Sequence, residues 1–560
     1  MLVVIAIWIE VAVVSRFCRR LLAVATIVTV AILSFVVLPG TAHAVGTGAI
    51  AVDGKVATRY DAYQLFSAIV ADDADADQKV ATDVTWANDA IRQAVLPVLH
   101  DAGLDSSASG AQEAAEWMDA DGHITTALTA KLARAICNAG ATSVALNAGT
   151  AAELPCGYWL IVADDDAIAQ GEAGTAPIMA LVGGSAVTVK PKAATPKVAK
   201  HVLEDGTAAW QKAADATVAD DLYWRLSATV PAGLTAYDTY TVRFVDTMGA
   251  GLAPSKVAAS MHVYVAAGAE GGFGAVACED GNVSSTPAKG WTDITSQCKV
   301  SVEGSTFTVR TGDLIAALGG ADAFTAGARV VAVYNAPLGV NCNRGVTKGN
   351  PNEVYLRYPR SPFADQSGDA GFTRTPSDDA TAYTWGLSLI KRSSSDDKFL
   401  AGAKLRITDD RGRTLAADGT WTTNADAYVV SGEDGCVELN GVDAGIYAVE
   451  EIAAPKGYTA FGGKRTVTVA VDGLDVEQVA AAKPKVTVSA ESPLRVVAAD
   501  AGTGSIELSV LNTPSKEVSR GFMPSTGDRT LVLVAVLAAI GVAAIVAALV
   551  IKRGGGRREK

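Results

Sequence analysis

Positions 391, 451 and 512 carry a lysine, a glutamate and an asparagine in phase with apolar residues of three predicted strands. Successive side chains of a strand face opposite sides, so residues two apart share one face. The apolar residues that share these faces are Leu387, Leu389, Tyr447, Val449, Ile506, Leu508 and Val510. The pattern predicts that Lys391, Glu451 and Asn512 point into one core.

Such a trio could do covalent chemistry. A buried charge or an unsatisfied polar group costs several kcal/mol when it stands alone. In apolar surroundings a lysine shifts toward its neutral amine, which is a nucleophile, and a carboxylic acid toward its protonated form. The acid could then hydrogen bond to the asparagine carbonyl and shuttle protons while ammonia leaves. The product would be a Lys–Asn amide, which removes the buried charge.

A second trio of the same kind precedes the first in the chain. Lys200, Asp246 and Asn352 share faces with the apolar residues Val198, Val202, Val242, Phe244, Val354, Leu356 and Tyr358. Asn350 has the same strand parity as Asn352, and Asp238 is a second candidate for the acid. For both trios the alternative is a hydrogen-bonded buried ion pair without covalent chemistry.

The elements that must position these residues are short strands. From Val187 onward, alternating segments are separated by Gly, Asp, Asn and Pro, which is typical of β-sandwiches. We expect a mainly β protein with tandem sandwiches at 193–360 and 384–514, joined by a linker at 361–383. Residues 45–186 mix strand-like pieces with Ala-rich helical stretches, which predicts an α+β domain.

The last predicted sandwich contains the stretches Glu451-Ile-Ala-Ala-Pro-Lys-Gly-Tyr458 and Val510-Leu-Asn-Thr-Pro514. With these stretches it resembles the Cna B-type domain of sortase-assembled Gram-positive pilins, and the first of them is similar to that family's E-box. This resemblance implies that Glu451 promotes an internal isopeptide bond, with Lys391 as amine donor and Asn512 as acceptor.

The middle sandwich contains the stretches Thr195-Pro-Lys-Val-Ala-Lys200, Tyr240-Thr-Val-Arg-Phe-Val-Asp246 and Gly349-Asn-Pro-Asn-Glu353. Through these stretches it resembles the Ig-like, isopeptide-forming D2 domain of fimbrial proteins. The resemblance implies Lys200 as donor, Asp246 as promoter and Asn352 as acceptor.

Residues 187–192, Val-Thr-Val-Lys-Pro-Lys, are similar to the pilin motif of shaft subunits, whose last lysine accepts the Thr acyl group of a neighbouring subunit. Lys192 matches that lysine, and Lys190 stands where the motif has Tyr. By strand parity Lys190 and Lys192 face away from Val187 and Val189, toward solvent. The alternative is two solvated lysines between domains.

The C-terminal segment 515–560 resembles a cell-wall sorting signal. Met523-Pro524-Ser525-Thr526-Gly527 is similar to the Leu-Pro-x-Thr-Gly motif that sortase cleaves after Thr, with Met in place of Leu. Residues 531–551 form an apolar run long enough for a transmembrane helix, and a basic tail follows. An ordinary transmembrane stop is the alternative.

Residues 1–44 are predicted to be a signal peptide. Three arginines precede the apolar stretch Leu21–Leu38, and Ala42-His43-Ala44 supplies a signal-peptidase pattern. The further apolar stretch 1–14 fits no standard signal peptide, and we interpret it as the result of a start codon assigned too early. The alternative is an N-terminal membrane helix. We therefore expect a secreted chain.

Net charge and cysteine spacing argue against two classes of function, nucleic-acid binding and metal binding. The net charge of −13 argues against nucleic-acid binding. Cys278 and Cys298 are a possible disulfide, as are Cys137 and Cys156, whereas Cys342 and Cys436 remain unassigned. No cysteine or histidine has metal-ligand spacing, so we expect no metal and no cofactor.

Together the resemblances imply a non-enzymatic shaft pilin of a cell-surface fimbria. Sortase would join Thr526 of one copy to Lys192 of another, and peptidoglycan would anchor the polymer. Minor pilins and host surface ligands are further expected partners, and adhesion is an expected role. The alternative is a wall-anchored adhesin or pilus-base subunit that does not polymerise through Lys192.

Overall fold

The structure is a computed structural model that describes residues 46–73, 78–191, 195–268, 272–279 and 282–515. The fold is mainly β, as the sequence predicts. The predicted signal peptide and the predicted sorting signal lie outside the described residues. Within the described ranges no helix is long and apolar enough to cross a bilayer.

An α+β arrangement forms the N-terminal unit, which we define as residues 46–191. Its strands are β1 (Thr47–Val52), β2 (Arg59–Asp72), β3 (Lys79–Trp86), β4 (Val144–Asn147), β5 (Ala152–Pro155), β6 (Gly157–Ala163), β7 (Ile178–Val182) and β8 (Val187–Val189). Its helices are α1 (Asp89–Asp101), α2 (Ala111–Asp119) and α3 (Thr126–Asn138). One sheet has the order β3-β2-β6-β7 with β4 beside β2, and the other has the order β5-β1-β8.

Local sequence explains where the helix α1 begins and which face it buries. The Asn88 side chain caps its first turn by accepting a hydrogen bond from the Ile91 N–H at 2.9 Å. Ile91, Val95 and Leu99 recur every four residues and are all buried. This spacing gives α1 one apolar stripe, which packs into the core between the helices and the sheet.

The first sandwich comprises the strands from residue 198 to residue 383. They are β9 (Val198–Glu204), β10 (Ala209–Gln211), β11 (Ala213–Asp215), β12 (Tyr223–Val230), β13 (Arg243–Met248), β14 (His262–Ala267), β15 (Val276–Glu279), β16 (Asn282–Pro287), β17 (Thr292–Asp293), β18 (Lys299–Glu303), β19 (Thr306–Arg310), β20 (Ala328–Asn335), β21 (Asn350–Pro359), β22 (Phe372–Arg374) and β23 (Asp378–Tyr383). Two short helices, α4 (Val257–Ser260) and α5 (Leu314–Ala317), lie between them.

Two sheets enclose the core of the first sandwich. One has the strand order β10-β9-β12-β20-β14-β17, and the other has β11-β23-β21-β13-β19-β18 with β22 beside β21. Strands β15 and β16 form a separate hairpin. The core between the sheets contains large fully buried side chains, among them Trp224, Phe244 and Tyr334.

The second sandwich comprises the strands from residue 385 to residue 514. They are β24 (Trp385–Ser393), β25 (Lys404–Thr408), β26 (Thr414–Leu415), β27 (Trp421–Thr422), β28 (Val429–Val430), β29 (Cys436–Val442), β30 (Gly445–Ala453), β31 (Tyr458–Thr459), β32 (Lys464–Asp472), β33 (Lys485–Ala490), β34 (Leu494–Asp500) and β35 (Ser505–Pro514). One sheet is β29-β24-β35-β31 with β34 beside β35, and the other is β27-β26-β25-β30-β32-β33 with β28 beside β25.

The prediction of a linker at 361–383 is wrong for its second half. Strand β23 pairs with β21 in antiparallel fashion and with β11 in parallel fashion, and β22 also pairs with β21. The polar composition of Asp378 and Asp379 obscured a strand whose last four residues are buried. This segment therefore belongs to the first sandwich.

Backbone hydrogen bonds join the two sandwiches. The Val346 N–H donates to the Ala501 carbonyl at 2.9 Å, and the Val218 N–H donates to the Gly441 carbonyl at 2.9 Å. Gly345 and Gly504 both have φ of +69°, and a Cβ on Gly345 would lie 2.3 Å from the Gly504 nitrogen. The two backbones therefore meet at this junction without room for a side chain.

Candidate functional site

Strand alternation brings the three predicted residues of the second sandwich into its core. Lys391 lies on β24, Glu451 on β30 and Asn512 on β35, and all three are buried. Strands β24 and β35 are parallel neighbours, with Ser393 opposite Asn512. Strand β30 belongs to the opposite sheet, so Glu451 reaches the lysine and the asparagine from across the core.

The three side chains touch one another. Lys391 Nζ donates a hydrogen bond to Asn512 Oδ1. Glu451 Oε1 lies 3.0 Å from Lys391 Nζ and accepts a hydrogen bond from Asn512 Nδ2 at 2.8 Å. One carboxylate oxygen thus contacts both nitrogens, and the amine lies against the amide carbonyl.

Residues around this trio shape its electrostatics. The Phe461 N–H donates to Glu451 Oε2 at 2.9 Å, and the Phe461 ring centroid lies 4.9 Å from Lys391 Nζ. Burial lowers the pKa of Lys391, and the nearby Glu451 opposes this shift. The site therefore favours the neutral amine more than water would.

In the first sandwich the predicted trio spans the two sheets. Lys200 lies on β9 in one sheet, whereas Asp246 on β13 and Asn352 on β21 lie in the other. All three side chains are fully buried. Asp246 pairs with Val354, two residues from Asn352, so the acid and the amide are diagonal neighbours on the inward face.

A tyrosine that the sequence analysis missed joins this trio. Lys200 Nζ donates to Asp246 Oδ2 and, at 2.9 Å, to the Tyr334 hydroxyl. The Tyr334 hydroxyl donates to Asp246 Oδ2 at 3.1 Å and accepts from Asn352 Nδ2 at 2.8 Å. Tyr334 on β20 is in phase with the apolar residues Val330 and Ala332, so its sequence pattern is that of an ordinary core residue.

Burial dominates the electrostatics of the first-sandwich site. It lowers the pKa of Lys200 to about 8, against the opposing effect of Asp246, and it raises the pKa of Asp246. Asp246 Oδ1 and Asn352 Oδ1 are buried and make no hydrogen bond. Both shifts favour a neutral amine beside a protonated acid, which is the state needed for attack on the amide.

The two open alternatives in the first sandwich differ from the trio in their surroundings. Asn350 is buried, but its side chain bonds to the backbone: Nδ2 donates to the carbonyls of Asn343 and Ala382, and Oδ1 accepts from the Asn343 N–H. The Asp238 side chain is 74% exposed and pairs with Arg134 at 3.1 Å. Neither contacts Lys200.

The structure describes the strand that leads to Lys192, but neither Lys192 nor Thr526 itself. Strand β8 is an edge strand that pairs in parallel with β1, Val189 is buried, and Lys190 after it is exposed. Lys192 and the motif residues Met523, Pro524, Ser525, Thr526 and Gly527 lie outside the described residues.

The possible disulfides are not formed in the structure. Cys278 and Cys298 are free thiols: Cys278 Sγ accepts from the Trp210 indole N–H at 3.1 Å, and Cys298 Sγ contacts the Ile294 carbonyl oxygen at 3.3 Å. Cys137 and Cys156 are also free. The loop between Cys278 and Cys298 contains strands of two different sheets, which sequence spacing does not reveal.

Among the residues that the structure describes, no group of three or more His, Cys, Asp or Glu side chains is arranged to hold a metal ion.

One family model matches part of the second sandwich. Residues 386–483 match the family model of the SpaA prealbumin-like fold domain. The match includes Lys391 and Glu451 and ends before Asn512, although the sandwich continues to residue 514. No curated protein matches the chain.

Comparison with solved structures matches several pilins. The T6 backbone pilin of serotype M6 Streptococcus pyogenes is 15% identical with a TM-score of 0.46, over 84% of this chain and 98% of that chain. The full-length major pilin SpaD from Corynebacterium diphtheriae is 14% identical with a TM-score of 0.41, over 84% and 98%. BcpA, the major pilin subunit of Bacillus cereus, is 12% identical with a TM-score of 0.38, over 84% and 99%.

The family match confirms the pilin resemblance that the sequence indicated for the last sandwich. The similarity to the SpaA prealbumin-like fold domain is limited to residues 386–483.

Proposed function

We propose that this chain is a structural shaft subunit of a covalent cell-surface fimbria. A sortase joins Thr526 of one copy to Lys192 of the next, and internal Lys–Asn amides strengthen each copy. The observation that carries the proposal is the convergence of Lys391, Glu451 and Asn512 in a closed core, with both nitrogens in contact with one carboxylate oxygen.

The internal reaction needs no cofactor. The neutral Lys391 amine attacks Asn512 Cγ, and Glu451 takes the proton that the amine loses. Glu451 then passes this proton to Asn512 Nδ2, which leaves as ammonia. The C–N bond to Asn512 Nδ2 breaks and the bond to Lys391 Nζ forms, so the sum is amine plus carboxamide giving amide plus ammonia.

The crosslinks suit a subunit under tension. A pull between Lys192 and Thr526 would pass through the Lys200–Asn352 and Lys391–Asn512 amides, since these residues lie near the two points of attachment. Each amide closes a loop of more than 100 residues; by analogy with a disulfide it would stabilise its sandwich by about 5 kcal/mol. Strands within the loops could separate only if covalent bonds broke.

External linkage requires a different kind of lysine. The amines of Lys200 and Lys391 are sealed in cores, whereas Lys190 is exposed after the edge strand β8. Lys192 is two residues further on, so an extended chain would place it on the same side as Lys190. This position would allow Lys192 to reach a sortase acyl-enzyme on another protein.

Immunoblotting of cell-wall extracts tests the shaft role. We expect wild-type chain and Lys190→Ala to give a ladder of high-mass bands, and Lys192→Ala to give one band. Lys190→Ala is the matched control, because it removes a neighbouring lysine. A single band from the wild type would support the wall-anchored adhesin or pilus-base role. A ladder that persists in Lys192→Ala would show that another amine is used.

A further inference from the structure

The two candidate crosslinking sites differ in the group that touches the reacting nitrogens. In the second sandwich Glu451 Oε1 lies 3.0 Å from Lys391 Nζ and 2.8 Å from Asn512 Nδ2. In the first sandwich the Tyr334 hydroxyl takes that place, 2.9 Å from Lys200 Nζ and 2.8 Å from Asn352 Nδ2. It also donates to Asp246 Oδ2 at 3.1 Å.

The two acids differ both in strand placement and in side-chain length. Aspartate is one methylene shorter than glutamate, and Asp246 makes no hydrogen bond to Asn352, whose Oδ1 is left without a partner. The acid of the first sandwich therefore contacts the amine but not the leaving nitrogen. The Tyr334 hydroxyl bridges the gap between the acid and the amide nitrogen.

We propose that Tyr334 is a catalytic proton relay for formation of the Lys200–Asn352 amide. This inference rests on the proposed function, because it assumes that the internal amide forms. Tyr334 contacts every group that gains or loses a proton in the reaction.

The relay is balanced in protons and in bonds formed and broken. Asp246, protonated at the start, gives its proton to Tyr334, and the carboxylate so formed takes the proton that Lys200 Nζ loses as it attacks Asn352 Cγ. Tyr334 donates its hydroxyl proton to Asn352 Nδ2 and regains one from Asp246, so the amide nitrogen leaves as ammonia. The Nζ–Cγ bond forms, the Cγ–Nδ2 bond breaks, and Tyr334 and Asp246 return to their starting states.

The surroundings suit a neutral hydroxyl in this role. Tyr334 is fully buried, and burial holds its pKa well above the usual range. The hydroxyl therefore enters the reaction protonated and can give one proton while it takes another. The Tyr334 ring packs edge-on against Phe307 with centroids 4.7 Å apart, and phenylalanine would keep this contact.

Tyr334→Phe in the full 560-residue chain tests the relay, with the Lys200–Asn352 peptide followed by mass spectrometry after a short induction. We expect this amide to form about 100-fold more slowly or not at all, as for loss of a general acid–base group. The Lys391–Asn512 amide serves as an internal control and should form normally. Tyr358→Phe removes another hydroxyl of the same core, one that donates to the Gly171 carbonyl, and should leave both amides intact.

A rescue variant separates the relay from a structural role. Asp246→Glu in the Tyr334→Phe background supplies the missing methylene, so the acid can reach Asn352 Nδ2 as Glu451 reaches Asn512. We expect the Lys200–Asn352 amide to return.

Three results would overturn the relay. These are normal amide formation in Tyr334→Phe, failure of that variant to fold, and no rescue by the added methylene. A wild-type chain without the Lys200–Asn352 amide would remove the internal crosslink itself. Polymerisation through Lys192 is tested separately, by the immunoblot of cell-wall extracts.

Discussion

At the scale of single residues, burial sets the electrostatics of both trios. Lys200 and Lys391 are fully buried, and burial lowers the pKa of each amine. Glu451 lies across the core from Lys391, and Asp246 lies beside Asn352. Each acid contacts its lysine in a site that is closed to water. An amide would remove both the charge and the cost of burying it.

Glu451→Gln tests the acid of the second sandwich. Gln cannot accept the amine proton, so we expect the Lys391–Asn512 amide to be absent. Loss of this covalent loop should lower the free energy of unfolding by about 5 kcal/mol and the melting temperature by about 10 to 20 °C. Mass spectrometry and thermal unfolding measure the two effects.

Glu450→Gln is the matched control for this prediction. Glu450 precedes Glu451 on β30, is half-exposed and pairs with Arg406 at 3.1 Å. This variant should keep the amide. Normal yield of the Lys391–Asn512 amide in Glu451→Gln would refute the assigned role.

Strand parity was enough to predict the faces of Lys391, Glu451 and Asn512, because each stands among alternating apolar residues. The same reasoning could not find Tyr334. A tyrosine in phase with apolar residues is typical of any core, and only the packing of two sheets shows what its hydroxyl touches. The choice between Asn350 and Asn352 likewise needs contacts, since both have the same parity.

At the scale of elements, the two trios would connect different pairs of strands. The second-sandwich amide would join the parallel neighbours β24 and β35 within one sheet. The first-sandwich amide would join β9 of one sheet to β21 of the other. Sequence order predicts an early strand linked to the last one, but in the first sandwich β22 and β23 follow β21.

Buried carboxyl groups gather where β11 meets the second sandwich. Asp215 Oδ2 accepts hydrogen bonds from the Trp385 indole N–H at 2.7 Å and from the Ala444 N–H at 2.9 Å. Glu204 Oε2 accepts from the Asp215 N–H at 3.1 Å. Asp443 lies in the same cluster. The charged groups around them are Asp205, Asp220, Asp221, Arg411 and Arg413.

This cluster predicts that the junction weakens as pH rises. Burial raises the pKa of Glu204 from 4.5 to about 8, and it also raises the pKa values of Asp215 and Asp443. The folded state therefore holds protons that the unfolded chain releases, so their stabilising effect is full below the unfolded values and is lost as pH rises toward 8.

Asp443→Asn isolates this effect in thermal unfolding at pH 5 and pH 8. We expect a smaller fall in melting temperature between the two pH values than in the wild type, because Asn needs no proton to stay neutral. Asp426→Asn, at a side chain that is 97% exposed, should behave as wild type. An equal fall in the Asp443→Asn and wild-type proteins would contradict the account.

At the scale of the whole molecule, the proposed amides define a path for tension. Force entering at Lys192 would cross from Lys200 to Asn352, continue along 353–390, and cross from Lys391 to Asn512. The stretch 353–390 contains β22 and β23, which the sequence led us to assign largely to a linker. Pairing of β23 with β21 and β11 holds this stretch in the first sandwich.

Local sequence pattern predicts much of the architecture, but it does not predict the contacts that join one sheet or domain to another. Short alternating strands predict sandwiches, and Ala-rich stretches with apolar spacing predict the helices of the N-terminal unit. The parallel pairing of β11 with β23 and the contact of Gly345 with Gly504 depend on residues far apart in sequence. Composition carries no signal for such contacts, which explains the error at 361–383.

The most direct test of the central claim is the intact mass of the region from Val45 to Thr526, followed by mapping of its crosslinked peptides. Two internal amides would lower the mass by about 34 Da, the mass of two ammonia molecules, and link Lys200 to Asn352 and Lys391 to Asn512. A mass equal to that of the sequence, with these four residues in separate peptides, would contradict the account.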